Sequence, residues 1–183
     1  MAQHTLSVLV ENSPGVLARV ASLFSRRGYN IDSLAVGPTE NPTVSRMTIV
    51  LNLEGHALDQ VSAQLFKLVN VIGIQEMTEG NSRQRELLFV KVAANRAQVA
   101  EVAGRYGAEV VDESEGSVIL QAIGANKDLA SLLSELQAFG VKELVQSGAI
   151  AIELGNSTIV DRTLVETGLA SSESHAQTAD YQN

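Results

Sequence analysis

Leu6-Ser7-Val8-Leu9-Val10-Glu11-Asn12-Ser13-Pro14-Gly15-Val16-Leu17-Ala18-Arg19-Val20, continuing through Phe24 to Gly28-Tyr29-Asn30, is the stretch that decides the fold. Leu6, Val8 and Val10 alternate with Ser7 and Leu9, the period of a half-buried strand. The strand stops at Asn12-Ser13-Pro14-Gly15 and the chain restarts as a helix. Val16, Leu17, Val20 and Phe24 form its apolar stripe, and Arg19, Ser22, Ser25 and Arg26 fall mostly off it. Ser13 reads as the N-cap and Pro14 as the first helical residue. Arg26-Arg27 suit the negative helix end and Gly28 a left-handed stop. A strand that turns straight into a helix leaves backbone N–H groups free, and with the helix dipole they form a seat for a carboxylate. No catalytic side chain stands beside this seat, so the chain reads as one that senses a small molecule.

Outward from this stretch, Asn30 to Val36 gives a second strand and Gly37 to Pro42 a loop rich in breakers. Met47, Ile49, Leu51 and Leu53 alternate on a third strand. Leu58, Val61, Leu65 and Leu68 mark a second helix, and Val71 to Met77 a fourth strand. The order is βαββαβ. Glu79 to Arg85 is polar and aperiodic and reads as a linker. The order then repeats. Leu87 to Val92 is a strand, Val99 to Tyr106 a helix stopped by Gly107, and Glu109 to Val111 and Ser117 to Ile123 are strands. Leu129 to Phe139 is a helix stopped by Gly140, and Val141 to Val145 and Ala149 to Leu154 are final strands. The expected fold class is α+β, with two ferredoxin-like βαββαβ domains, each an antiparallel sheet with two helices on one face. The expected division is 1–79, a linker at 80–85, a second domain at 86–155, and a flexible tail at 156–183 with a short helix near Val160 to Leu169.

In the first domain the sheet face away from the helices carries Thr5, Ser7 and Leu9 on strand one, and Arg46, Thr48 and Val50 on strand three. This mixture predicts covering, or lateral pairing with another copy. A domain of this size buries only ~60% of its surface, so an oligomer is expected.

Composition excludes several functions. Net charge is −8 over 183 residues, which disfavours nonspecific nucleic-acid or anionic-lipid binding. The absence of cysteine excludes disulfides, zinc–thiolate sites and thiol catalysis. Aromatics are 4%, and the strands lack the aromatic pairs on which RNA-binding sheets stack bases. There is no phosphate-binding loop, dinucleotide fingerprint or nucleophile elbow. No signal-peptide layout and no apolar run near ~20 residues is present. His4, His56 and His175 lack metal-ligand spacing, and Asp112, Glu113 and Glu115 read as a solvated acidic loop.

At the Asn12 to Gly15 turn a plainly capped helix start is one reading. The ligand-binding reading uses more of the residues. Gly15 leaves the N–H groups unobstructed. The Asn12 amide can donate and accept, as a free α-amino acid requires. Val16, Leu17 and Ile31 would supply an apolar wall, and Asn30 a second amide if another subunit brings it close.

The run His4 to Val20, then Phe24-Ser25-Arg26-Arg27-Gly28-Tyr29-Asn30-Ile31-Asp32-Ser33-Leu34, then Ser45-Arg46-Met47-Thr48-Ile49-Val50, resembles the regulatory (small) subunits of acetolactate synthase, also called acetohydroxyacid synthase. The resemblance is specific over the first ~80 residues and looser to about Leu154. It implies an N-terminal ACT domain, an ACT-like C-terminal domain, and a homodimer whose ACT domains pair side by side and bind the feedback inhibitor, usually valine, at their interface. It assigns effector binding to Asn12, Gly15, Val16 and Leu17 of one copy and to Asn30 and Ile31 of the other. It implies a non-catalytic chain without cofactors, working with a catalytic large subunit that carries thiamine diphosphate, Mg²⁺ and FAD. The expected location is the cytoplasm, or the plastid stroma if plastid-encoded. The other reading, a stand-alone amino-acid-sensing or transcription-regulatory ACT protein, lacks a helix-turn-helix or basic face here.

Overall fold

A computed structural model of the chain describes residues 2–54 and 56–166. Its elements run β1 (Ala2–Glu11), α1 (Val16–Arg26), β2 (Ile31–Pro38), β3 (Val44–Leu53), α2 (Ala57–Leu65), β4 (Val71–Met77), β5 (Ser82–Val92), α3 (Arg96–Tyr106), β6 (Glu109–Ser114), β7 (Ser117–Gly124), α4 (Asn126–Leu136), β8 (Val141–Gln146), β9 (Ile150–Glu153) and α5 (Ile159–Glu166). A short 3-10 turn, Gln137–Phe139, extends α4. The first sheet has the order β2-β3-β1-β4 and the second β6-β7-β5-β8, with β9 added to β5. Both are antiparallel. These are the two βαββαβ units expected from the periodicities.

In the first unit Leu6, Val8 and Val10 of β1 face α1 and α2. They meet Met47, Ile49 and Leu51 of β3, Val16, Val20 and Phe24 of α1, and Val61 and Leu65 of α2 in one buried core. Register makes this consistent, because Leu6 lies opposite Ile49 and Val8 opposite Met47 on β3. The second unit repeats the plan with Leu88, Val90 and Val92 of β5 against Val99, Val102, Leu129 and Leu132 of its helices.

The other face of β1 is also buried. Thr5, Ser7 and Leu9 are at most 8% exposed. The covering comes from the same chain. Ser82 to Arg85, expected in a linker, form the first part of β5 and pair with β9, Ser82 opposite Glu153 and Arg85 opposite Ile150. Ser82 and Gln84 are polar because they meet a polar seam on the first sheet. Thr5 Oγ1 donates to Gln84 Oε1 at 3.1 Å, Gln84 Nε2 donates to the Met77 carbonyl at 2.9 Å, and the Ala149 N–H donates to Ser33 Oγ at 3.0 Å. Leu9, Met77, Ala151 and Ile159 close the seam as a small apolar cluster.

The helix expected near Val160 to Leu169 is α5; the remainder of the expected flexible tail, 167–183, lies outside the described residues. Thr158 and Asp161 cap α5 reciprocally. Asp161 accepts from the Thr158 hydroxyl and N–H, at 2.8 and 3.0 Å, and its own N–H donates to Thr158 Oγ1. Those bonds hold the Asp161 carboxyl below the usual carboxylate range. Arg162 reaches back to Glu153, which also accepts from Gln75. Beneath α5, Gly73 of β4 leaves room for Thr163, because a Cβ at Gly73 would overlap Thr163 Oγ1. Gly73→Val is therefore expected to push α5 off the sheet and lower stability by ~1–3 kcal/mol, the usual cost of overpacking. Urea unfolding and limited proteolysis check this: new cleavage should appear at 156–166, and an unchanged digestion pattern would show that α5 does not pack there.

Candidate functional site

The turn after β1 differs from its expected form. Ser13 is not the N-cap and Pro14 is not in the helix. The N-cap is Gly15, at φ +84°, with no side chain bonded to the helix start. The left-handed conformation at Gly15 breaks helical continuity, so Ser13 and Pro14 form a turn before it, with the Ser13 N–H donating to the Glu11 carbonyl at 3.0 Å. A residue with a Cβ is strained at this φ. The first-turn N–H groups of Leu17 and Ala18 find no acceptor among the described residues.

Each of the other α-helices has a side-chain cap or an acidic first-turn residue here. At the start of α3, the equivalent helix of the second unit, Asn95 Oδ1 accepts from the Gln98 N–H and Gln98 Oε1 from the Asn95 N–H. Glu113, expected in a solvated loop, accepts from the Arg96 N–H at 3.0 Å. The first turns of α2, α4 and α5 carry Asp59, Asp128 and Asp161. The first turn of α1 has no acidic residue and no side-chain cap, so its dipole is uncompensated from within.

Asn12 stands at the mouth of this start. Its N–H donates to the Thr43 carbonyl at 2.7 Å and its Nδ2 to the Pro42 carbonyl at 3.0 Å. The 39–43 loop thereby fixes the amide, and Oδ1 accepts nothing among the described residues. Leu17 is 44% exposed, whereas Val16 is buried in the core, so the apolar wall expected from Val16 is absent. Sequence reasoning missed a polar clamp on the same rim. Arg19 Nη1 donates to Asn70 Oδ1 at 2.6 Å, and Asn70 Nδ2 donates to Glu11 Oε2 at 2.6 Å. No local pattern signals Asn70, since its partners lie 51 and 59 positions away.

Asn30 and Ile31 lie at the opposite end of the sheet. Ile31 pairs with Leu51, which pairs with His4, whereas Asn12 follows Glu11. Seven residues of strand at ~3.3 Å each separate the two levels by about 23 Å. One chain therefore does not assemble the six candidate residues. Asn30 is exposed and its Nδ2 donates to Asp32 at 2.9 Å. His4 pairs with Glu76 at 2.7 Å, His56 lies beside Asp59, and His175 falls outside the described residues. Among the described residues no group of three metal-ligating side chains converges, and no helix is long and apolar enough to cross a membrane.

Known proteins are similar to this chain in sequence and in architecture. The family profile described as the AHAS small subunit-like ACT domain matches residues 6–73, and that described as the small subunit of acetolactate synthase matches residues 85–155. The chain is 51% identical to the acetolactate synthase small subunit of Mycolicibacterium smegmatis over 155 residues, covering 83% of this chain and 91% of that protein. It is 43% identical to the probable acetolactate synthase small subunit of Archaeoglobus fulgidus, covering 84% and 98%. The crystal structure of the acetolactate synthase small subunit from Thermotoga maritima superimposes with a TM-score of 0.78 at 29% identity, covering 86% of this chain and all of that one.

The geometry of the turn is itself testable. A Cβ on Gly15 would meet no atom within 4 Å, so Gly15→Ala is expected to cost ~1–2 kcal/mol through backbone strain alone. Chemical denaturation checks it; a variant as stable as the parent would mean that Gly15 is not left-handed.

Proposed function

From the chain's membership of the acetolactate synthase small-subunit family, we propose that it is a non-catalytic regulatory subunit that activates a thiamine-diphosphate-dependent catalytic subunit and makes it sensitive to valine. The observation that carries the effector site is the start of α1, which has neither a side-chain cap nor an acidic first-turn residue. The valine carboxylate sits against the free N–H groups of α1, where the dipole favours negative charge. Its ammonium is held by Asn12 Oδ1, and its side chain rests on Leu17.

The rest of the site comes from a second copy. β2 is an edge strand of its sheet, with Val36 46% exposed. A two-fold axis beside β2 would pair it antiparallel with its counterpart. That places Asn30 and Ile31 of one copy next to Pro38 of the other, where the 39–43 loop holds Asn12. Each dimer then has two identical seats across one interface, and burial of the edge answers the exposure of the unpaired strand.

Regulation follows from linkage. The valine-bound dimer and the activating dimer are different arrangements of the same interface. Valine binds the less active complex more tightly, by ~1–3 kcal/mol for typical coupling. Thiamine diphosphate, Mg²⁺ and FAD belong to the catalytic subunit in this scheme.

Gly15→Asp tests it. Asp tolerates the left-handed conformation better than most residues and sets a negative charge against the ligand carboxylate. The reconstituted complex is expected to keep its stimulated activity and lose valine inhibition; a complex that stayed fully valine-sensitive would move the site elsewhere. Asn12→Ala is expected to weaken valine binding to the purified chain by ~1–3 kcal/mol, and unchanged calorimetric affinity would remove Asn12 from the site.

A further inference from the structure

We infer that the arginine-lined groove between the outer face of the β5–β9 ribbon and the end of β2 is where the catalytic subunit docks, through an acidic segment that also presents aliphatic side chains. This inference rests on the regulatory-subunit reading above.

The groove has a volume of about 530 Å³ and is lined by Arg46, Arg83, Arg85, Ile150 and Ile152, with Glu40 on its rim. Strand alternation creates it. Ser82 and Gln84 of β5 turn toward the first sheet, where they bond Thr78 and Thr5, and Ala151 of β9 is buried in the seam. The residues between them must point the other way. Register then sets Arg83 opposite Ile152 and Arg85 opposite Ile150. Ile150 is 63% exposed and Ile152 62%, adjacent on one short strand.

What sets the groove apart is that three guanidinium groups and two exposed isoleucines share one concave surface. The chain has 21 acidic against 13 basic residues, so carboxylates are plentiful. Lys91, Arg96, Arg105, Lys127 and Arg162 pair with one, whereas Arg19 and Lys142 bond the Asn70 amide and the Gly116 carbonyl, and Arg26, Arg27 and Lys67 have no carboxylate partner among the described residues. Arg46, Arg83 and Arg85 have no carboxylate partner among the described residues; Arg85 donates only to the neighbouring Gln84 carbonyl. Guanidinium groups shed water readily, pair carboxylates bidentately and are enriched at interface cores. Arginines flanking exposed isoleucines therefore fit an acidic protein segment. A small free anion would engage the arginines and leave the isoleucines wet.

The position has a regulatory consequence. Thr39 and Glu40 line the groove, and a few residues on, Pro42 and Thr43 hold Asn12. A partner in the groove and an effector at α1 thus press on the two ends of one loop.

The test measures association of the full-length chain with the catalytic subunit by biolayer interferometry, with valine affinity and sedimentation of each variant alone as controls. Arg83→Glu/Arg85→Glu is expected to weaken association by roughly 30-fold or more, and Ile150→Ser/Ile152→Ser by about 10-fold. Valine affinity and self-association should stay within about two-fold of the parent. Parent association should fall steeply with added salt. Both variants binding the catalytic subunit within about three-fold of the parent would overturn the assignment. So would loss of self-association, which would make the groove an interface between copies. If charge reversal prevents folding, Arg83→Gln/Arg85→Gln replaces it, with about 5-fold weakening expected and parental affinity overturning the assignment. A parent chain that does not bind the catalytic subunit at all overturns the regulatory-subunit reading; variants that bind as the parent does overturn only this surface.

Discussion

Burial of β1 on both faces is the constraint from which the rest of this structure follows. Leu6, Val8 and Val10 belong to the core under α1 and α2, while Thr5, Ser7 and Leu9 are buried against the other half of the chain. A central strand with two covered faces has no freedom of register, since a one-residue slip would send the aliphatic set into the polar seam. The turn at its end is therefore held rigidly. It places Asn12 against the 39–43 loop and Gly15 at the head of α1.

The polar seam also explains how two small units behave as one body. Either sheet with its own two helices would bury a modest core. Here β5 runs from the ribbon under the first sheet into the middle of the second, and α5 returns to pack on β4. Thr5, Ser33, Gln75 and Gln84 each find a partner across the seam or beside it. Such directional bonds add little net stability but penalise misaligned packing, because an unpaired buried polar group is costly. The orientation of the two units is thereby specified.

The two units show how one fold is specialised by a few side chains. The first helix of the second unit starts with a complete capping box and a borrowed carboxylate from Glu113. The first helix of the first unit starts with a left-handed glycine and unbonded N–H groups. The backbone plan is the same, and the difference is whether protein atoms occupy the electropositive end. In the proposed function this difference makes the first unit the effector domain and leaves the second to support and connect it.

Element order, both helical periods, the strand–turn–helix stretch and the absence of catalytic motifs were legible in the sequence alone, because local periodicity reports which backbone conformation puts apolar groups on one side. Tertiary structure decided what those elements meet. Ser82 to Arg85 look like a linker because polar residues read the same whether they face water or a polar seam; pairing with β9 makes them strand. Val16 read both as part of the helix's apolar stripe and as part of a binding wall; packing in the core with Val20 and Phe24 leaves it only the first role. Asn70 joins Arg19 to Glu11 only after β4 is laid beside β1. Asn30 is expected beside Asn12 only through a second copy, and strand pairing sets the two at opposite ends of one chain's sheet. Distances of that kind arise from strand pairing between distant segments, and no local pattern of residues encodes them.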